Sequence, residues 1–303
     1  MEEPYKSCSY LERQNAFKVF RSTGEIQDPL LVFFDQDGKW TNDPHPPTIS
    51  WNSTLPKQII PKERLVRTCE NGRKILLSSF RSLSKKPIKL DYHHVMGNIE
   101  VWWTLGFHAP NLITVDGRML IESARVIHVP CLEQIKSYIL ASSVRIFDVP
   151  NLETIEGYLV AGSADVFHAP KLERVGSRVE AHTSAIFHAP RLRTAGRMDL
   201  MATANLCVPD LETVQDLLAD SVTIFDAPKL VTVSGELKAQ RATIFHAPNL
   251  RTVGSDLDAG SAVNFEALKL ETVGRSLILR PETLHAAVRA GCKAAIAKAA
   301  GEI

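Results

Sequence analysis

Residues 167–190 read FHAPKLERVGSRVEAHTSAIFHAP, a stretch that begins and ends on the same Phe-His-Ala-Pro signature. Related signatures recur along most of the chain and place prolines at positions 110, 130, 150, 170, 190, 209, 228 and 248. The first four intervals are 20 residues long, the next two are 19 and the last is 20. A fixed period of about 20 residues is the signature of a repeat protein.

Each copy of the repeat keeps its apolar residues at fixed offsets. In one copy Leu172, Val175 and Val179 follow the proline, and Phe187 ends the copy. Twenty residues are too few for a pair of helices, which needs about 33, but they suit two or three short strands separated by bends. Stacking then aligns the apolar positions into continuous columns. The repeat therefore predicts a mainly β protein, a parallel β-solenoid of eight or nine coils over residues 87–279.

The residues outside the repeat predict a cap at each end, because an open solenoid end exposes strand edges and core. Residues 1–86 contain a candidate helix over Tyr10–Arg21 and a candidate strand over Leu30–Phe34 with a turn at Asp37-Gly38. They predict a small α/β capping segment. Residues 280–303 start with Arg280-Pro281 and continue as an alanine-rich run, which predicts a C-terminal capping helix. A partner-binding helix is the alternative.

Composition and charge exclude several classes of protein. The chain has 35 Lys and Arg against 34 Asp and Glu, so the net charge of +1 indicates no nucleic-acid partner. No segment reaches the roughly 18 consecutive apolar residues of a membrane span, and the N-terminus has no secretory pattern. We therefore expect a cytoplasmic protein without a membrane span, with non-classical export as the alternative. The five scattered cysteines indicate reduced thiols.

The pattern P-x-L-x-x-[VI]-x-G-x-L-x-A over about residues 88–279 resembles bacterial leucine-rich-repeat proteins of the BspA-like kind, and also the coils of receptor L domains. The chain differs from both in its His/Asp-Ala-Pro signature and in lacking the asparagine of typical leucine-rich repeats. The resemblance implies stacked coils and a non-enzymatic scaffold that binds proteins, glycans or cell surfaces through the exposed face of a parallel sheet. We expect a protein partner and no cofactor.

The residue before each Ala-Pro is usually polar, and alternation with an inward phenylalanine would place it on the outside of the solenoid. We call these residues the His/Asp row: His108, His128, Asp148, His168, His188, Cys207, Asp226 and His246. Hydrogen bonds to the backbone at the bend are the first interpretation. Zinc or nickel ligation, or a pH-sensitive recognition surface, are the alternatives.

The residue two positions earlier is mostly a β-branched apolar residue. We call these residues the Ile/Val row: Val126, Ile146, Val166, Ile186, Asn205, Ile224, Ile244 and Asn264. The same alternation predicts that the row is exposed, which favours a homodimer through the sheet face, or contact with the N-terminal segment or a target. A bend that buries both this residue and the phenylalanine is the alternative.

Further candidates lie at positions that differ between coils. Large side chains at such positions are candidates for recognition: Arg125, Arg145, Tyr138 and Tyr158. Trp102 and Trp103 lie near the first coil, where they indicate a ligand groove or a seam between the cap and the solenoid.

A carbohydrate-binding or carbohydrate-active β-helix is the competing functional class. Such an enzyme needs acidic groups clustered in one groove, whereas the repeat distributes the acidic residues of this chain evenly. The sequence therefore favours binding over catalysis and predicts no catalytic residue.

Overall fold

The computed structural model describes residues 66–69, 72–83, 87–122 and 124–301, together with the backbone of two short strands, Phe33–Phe34 and Trp40–Thr41. These two strands pair antiparallel. The predicted turn at Asp37-Gly38, the candidate helix over Tyr10–Arg21 and most of the predicted N-terminal cap lie outside the described residues. The chain divides into two compact units, Met1–Leu55 and Pro56–Ile303, and the second contains the repeat.

Every coil of the repeat contributes up to three short strands. The first strands follow the Pro-x-Leu turn in the regular coils: Thr114–Val115, Gln134–Ile135, Thr154–Ile155, Arg174–Val175, Thr232–Val233 and Thr252–Val253. Lys74–Leu76, His94–Val95 and Thr272–Val273 take the same place in coils without that turn sequence. The second strands follow a bend: Phe80–Leu83, Ile99–Trp102, Met119–Ile121, Ile139–Leu140, Leu159–Val160, Val179–Glu180, Leu237–Lys238, Leu257–Asp258 and Leu277–Ile278.

The third strands end in a residue of the His/Asp row, or in Lys89 and Glu266 at the two ends: Ile88–Lys89, Gly106–His108, Val126–His128, Ile146–Asp148, Val166–His168, Ile186–His188, Asn205–Cys207, Ile224–Asp226, Ile244–His246 and Asn264–Glu266. Strands at the same position in neighbouring coils pair in parallel, as Phe147 does with Phe167. The predicted parallel β-solenoid is confirmed.

The solenoid has about ten coils, slightly more than expected, because parallel pairing starts before residue 87. Lys74–Leu76 pairs in parallel with His94–Val95, and Phe80–Leu83 pairs with Ile99–Trp102. Ahead of them, Val66–Thr68 pairs antiparallel with Lys74–Leu76.

The two coils that are 19 residues long differ from the other coils in their strands. In these coils the first and second strands form one continuous strand, Thr194–Asp199 or Thr213–Leu218. The missing residue comes from the bend between the two strands, so the chain continues straight and the register of the second strand is preserved, with Met198 opposite Val179. The sheet of third strands divides at the same place, into seven strands that end with Asn205–Cys207 and three that start with Ile224–Asp226.

Apolar columns run through the interior, as the fixed offsets predict. Phe147, Phe167 and Phe187 are at most 1% exposed and stack with ring centroids 5.2 and 4.6 Å apart. The leucine after each proline is equally buried, as at Leu172 and Leu192. Because every coil supplies one residue to each column, stacking buries the apolar side that a single coil would leave exposed.

The C-terminal end is covered by two helices, α1 (Pro281–Arg289) and α2 (Lys293–Ala299). Gly291 between them has φ +83°, a left-handed conformation that suits glycine and ends the first helix. The Thr283 hydroxyl donates to the Ala262 carbonyl at 2.6 Å, and the Ala294 N–H donates to the Leu270 carbonyl at 3.2 Å. The predicted capping helix is therefore confirmed, as a pair of helices. Neither helix is long and apolar enough to cross a membrane, and the part of the chain that the structure describes contains no other candidate.

Candidate functional site

The outer side of the third strands, which we call the third face, carries both predicted rows. Phe147 is buried, and its neighbours Ile146 and Asp148 alternate with it and point to the other side of the strand. Within each of the two sheets of third strands, the His/Asp row is in register from strand to strand, and it continues into Lys89 at one end and Glu266 at the other.

The centre of the His/Asp row is a carboxylate between two imidazoles. Asp148 accepts a hydrogen bond from Nδ1 of His128 at 2.6 Å and another from Nδ1 of His168 at 2.7 Å. Burial alone would raise the pKa of Asp148, but these two hydrogen bonds and the positive charge of the histidines outweigh burial and lower that pKa to about 2. Side chain to side chain contacts therefore replace the backbone hydrogen bonds that the sequence suggested at these positions.

The histidines on either side of this centre are stacked on it. The rings of His108 and His128 lie 5.3 Å apart and 2° from parallel, and those of His168 and His188 lie 5.4 Å apart. His188 is 6% exposed, and its burial and the charge of His168 lower its pKa to about 3. The pKa of His108 is also lowered, by burial and by His128. Nδ1 of His108 lies 3.3 Å from the backbone carbonyl of His128, which belongs to the next coil and not to the bend that follows His108.

At the C-terminal end of the His/Asp row, carboxylates outnumber histidines. His246 lies between two carboxylates, with Nδ1 2.8 Å from Asp226 and Nε2 3.4 Å from Glu266. A proton on His246 is therefore matched by two acidic partners, whereas a proton on His188 meets a neighbouring histidine.

The Ile/Val row faces outward, but its exposure changes along the solenoid. Ile146 is only 6% exposed, whereas Ile224 is 41% and Ile244 is 36% exposed. The residue before Ile146 is Arg145, and the residue before Ile224 is Thr223, which has a much shorter side chain. The accessible apolar part of the third face therefore lies in the last coils, where Val263 and Leu268 are also exposed.

The predicted tyrosines lie on another side, the outer side of the second strands, which we call the second face. The rings of Tyr138 and Tyr158 stack with centroids 4.2 Å apart. Arg118 donates to the Tyr138 hydroxyl at 3.2 Å, and the guanidinium of Arg178 lies 5.2 Å from the centroid of Tyr158. The structure thus separates these tyrosines from the His/Asp row.

The predicted arginines and tryptophans occupy the borders of these faces. Arg125 and Arg145 lie at the bend before the third strand, where the Arg145 N–H donates to the Arg125 carbonyl at 2.9 Å. Trp102 ends a second strand opposite Leu83. Trp103 follows it, is 67% exposed and has φ +64°, a conformation that few residues with bulky side chains adopt.

Sequence reasoning missed Glu100 on the second face. Glu100 is 3% exposed and accepts from Arg81 Nε at 2.8 Å and from Arg118 Nη2 at 3.1 Å. The available signal was its position, because the coils that follow place Leu120 and Leu140 in register with it. Farther along the solenoid, three other coils place carboxylates at the same register position: Glu180, Asp199 and Asp258. The leucines therefore distinguish Glu100 only from the two coils directly after it. A buried carboxylate such as Glu100 requires charged partners.

Within the described ranges, no three His, Cys, Asp or Glu side chains are arranged to hold a metal ion. No family model, curated protein or solved structure matches this chain. The side chains on its second and third faces therefore carry the functional argument.

Proposed function

We propose that the chain is a non-enzymatic binding protein that recognises a protein partner through the third face. Its resemblance to bacterial leucine-rich-repeat proteins and receptor L domains implies binding through the exposed face of a parallel sheet. The observation that supports this function is the exposure of Ile224 and Ile244 beside the polar His/Asp row. Protein interfaces have this anatomy, with an apolar centre and a polar rim.

The rim suggests the chemistry of the partner. Beside the exposed isoleucines lie Asp226 and Glu266, with His246 between them, and the Glu266 side chain is 62% exposed. A partner surface with apolar side chains flanked by Lys or Arg complements this composition. Val263 and Leu268 extend the apolar area toward the C-terminal end.

The test compares two double variants of the full chain. Ile224→Asp with Ile244→Asp places charges in the Ile/Val row, whereas Thr232→Asp with Thr252→Asp places the same charges on the first strands of the same coils. Both isoleucines are exposed, so neither substitution introduces a charge into the core.

The measurement is crosslinking with mass spectrometry in an extract of the source cells, combined with light scattering of the purified chain. We expect crosslinks from the last coils to an apolar, basic surface of another protein, lost in the isoleucine variant and retained in the threonine variant. If the isoleucine variant alone converts a dimer to a monomer, the protein partner is a second copy of this chain. Crosslinks that are equal in both variants would contradict the proposal.

A further inference from the structure

The His/Asp row has two parts with opposite acid–base composition, and the division in the sheet of third strands lies between them. The part before the division contains His108, His128, His168 and His188 with one carboxylate, Asp148. The part after it contains one histidine between two carboxylates.

We propose that the seven third strands before the division form an acid-triggered segment, which opens when its stacked histidines take up protons while the three strands after the division stay closed. This inference goes beyond partner recognition, because it concerns the isolated chain.

The geometry gives the sign of the effect. With neutral imidazoles, the row before the division carries the single negative charge of Asp148. Two of its four histidines contact that carboxylate, at 2.6 and 2.7 Å, and the other two stack on those histidines at 5.3 and 5.4 Å. Complete protonation therefore places like charges side by side in both stacks. Imidazole is the side chain that ordinarily titrates in mildly acidic solution.

The surrounding charged groups do not offset this positive charge. Lys89 is in register with His108, and Cys207 is in register with His188. The bends that flank these strands also hold Cys131 and His182, five basic residues and five acidic residues: Arg125, Arg145, Lys171, Arg191 and Arg193, and Glu122, Glu133, Glu153, Asp165 and Glu173. The bend charges therefore balance one another and leave the charge of four protonated histidines uncompensated.

The preference of the folded segment for neutral histidines agrees with this balance. The pKa values of His188 and His108 are both lowered, first by burial and then by the neighbouring histidine. A base with a lowered pKa in the closed state binds protons more tightly when the segment opens, so acid shifts the equilibrium toward the open state.

The topology allows a local response. The third strands before the division form a sheet separate from the sheet of first and second strands, which continues through the whole solenoid. Opening of the seven strands therefore leaves the hydrogen bonds of the larger sheet in place.

Hydrogen exchange of the full chain tests the proposal, with rates corrected for the intrinsic effect of pH. Between pH 7 and pH 5 we expect the amides of Phe147 and Phe167 to exchange faster by about tenfold or more, the population change equivalent to one pKa unit. The amide of Phe245, after the division, and those of the first strands serve as internal references and should keep their rates.

Three variants locate the effect. Asp148→Asn removes the single carboxylate and should move the opening to higher pH. His188→Phe removes the buried imidazole but keeps a ring to stack on His168, and it should reduce the acceleration. His246→Gln, at the equivalent position after the division, should leave the response of Phe147 and Phe167 unchanged.

Equal acceleration on both sides of the division, or none before it, would overturn the proposal. If Asp148→Asn does not fold, His188→Phe decides: an acceleration as large as that of the unmodified chain also overturns it.

Discussion

At the residue scale, glycines at the bends differ in how closely the previous coil approaches. A Cβ at Gly254 would collide with the carbonyl oxygen of Ser234, and a Cβ at Gly176 would collide with that of Glu156. A Cβ at Gly162 would meet only the Ser142 carbonyl, at 3.8 Å. Glycine at the first two positions is therefore a consequence of how tightly the coils stack.

We expect Gly254→Ala to lower the free energy of unfolding by about 1–3 kcal/mol, because the added methyl forces the neighbouring backbone apart. Gly162→Ala is the matched control and should change the free energy of unfolding little. Urea unfolding followed by circular dichroism measures both variants, and equal losses would show that steric contact between coils is not the cause.

Two residues of the His/Asp row make stability depend on pH. His188 has its pKa lowered from 6.5 to about 3, so its contribution is complete above pH 6.5 and is lost as pH falls toward 3. Asp148 has its pKa lowered from 3.8 to about 2, so its contribution is lost between those values. Unfolding midpoints should fall steadily from pH 6.5 downward. In His188→Phe the fall above pH 4 should be smaller, and an unchanged profile would contradict the assignment.

The residues of the candidate site were predictable only in part. Alternation predicts that both rows point away from Phe147, because a strand leaves two choices for each side chain. It does not predict how exposed each residue is: Ile146 is only 6% exposed, whereas Ile224 is 41% exposed. The stacking of His168 on His188, and the burial of Glu100 by Arg81 and Arg118, depend on rotamers and on neighbouring coils. The repeat period does not encode those details.

At the element scale, the coils tolerate a change of length at one place. Thr194–Asp199 and Thr213–Leu218 are single strands where other coils have two, and the apolar columns still continue through Met198 and Leu217. The proline spacing revealed the missing residue, but its location in the bend followed only from the pairing of the strands.

We expect one glycine inserted between Ala195 and Gly196 to be tolerated, because it restores the length of the neighbouring coils at a bend. The same insertion between Ile186 and Phe187 should unfold the local coils, because a one-residue slip turns the phenylalanine outward. Thermal unfolding by circular dichroism compares the two insertions. Similar melting temperatures would contradict this difference between bend and strand.

At the scale of the whole second unit, the cover on the last coil determines whether one stack of coils associates with another. The helices α1 and α2 bury Ala287, Ala294 and Ala295 against the last coil, whose Leu270 and Leu277 are at most 1% exposed. The need for a C-terminal cap was predictable from the repeat, since an uncovered coil leaves both strand edges and apolar columns open. The break at Gly291 was not predicted.

We expect a chain that ends at residue 279 to self-associate, because the uncovered edges of the last coil offer unpaired backbone groups to another chain. Light scattering at increasing concentration measures the association. Gly291→Ala in the complete chain is the control, since it strains the connection between the helices and keeps the cover. A truncated chain with the same mass distribution as the complete chain would show that the cap is dispensable.

The parallel pairing of coil with coil also has a mechanical meaning. Hydrogen bonds between successive coils, such as Glu153 N–H to the Glu133 carbonyl, follow the direction in which the coils stack. Tension applied between the first and last coils therefore loads these bonds one coil after another, as in a zipper, and not all together in shear. We expect a single molecule under a steady pull to lengthen in low-force steps, each releasing one coil of about 20 residues, or roughly 70 Å of extended chain.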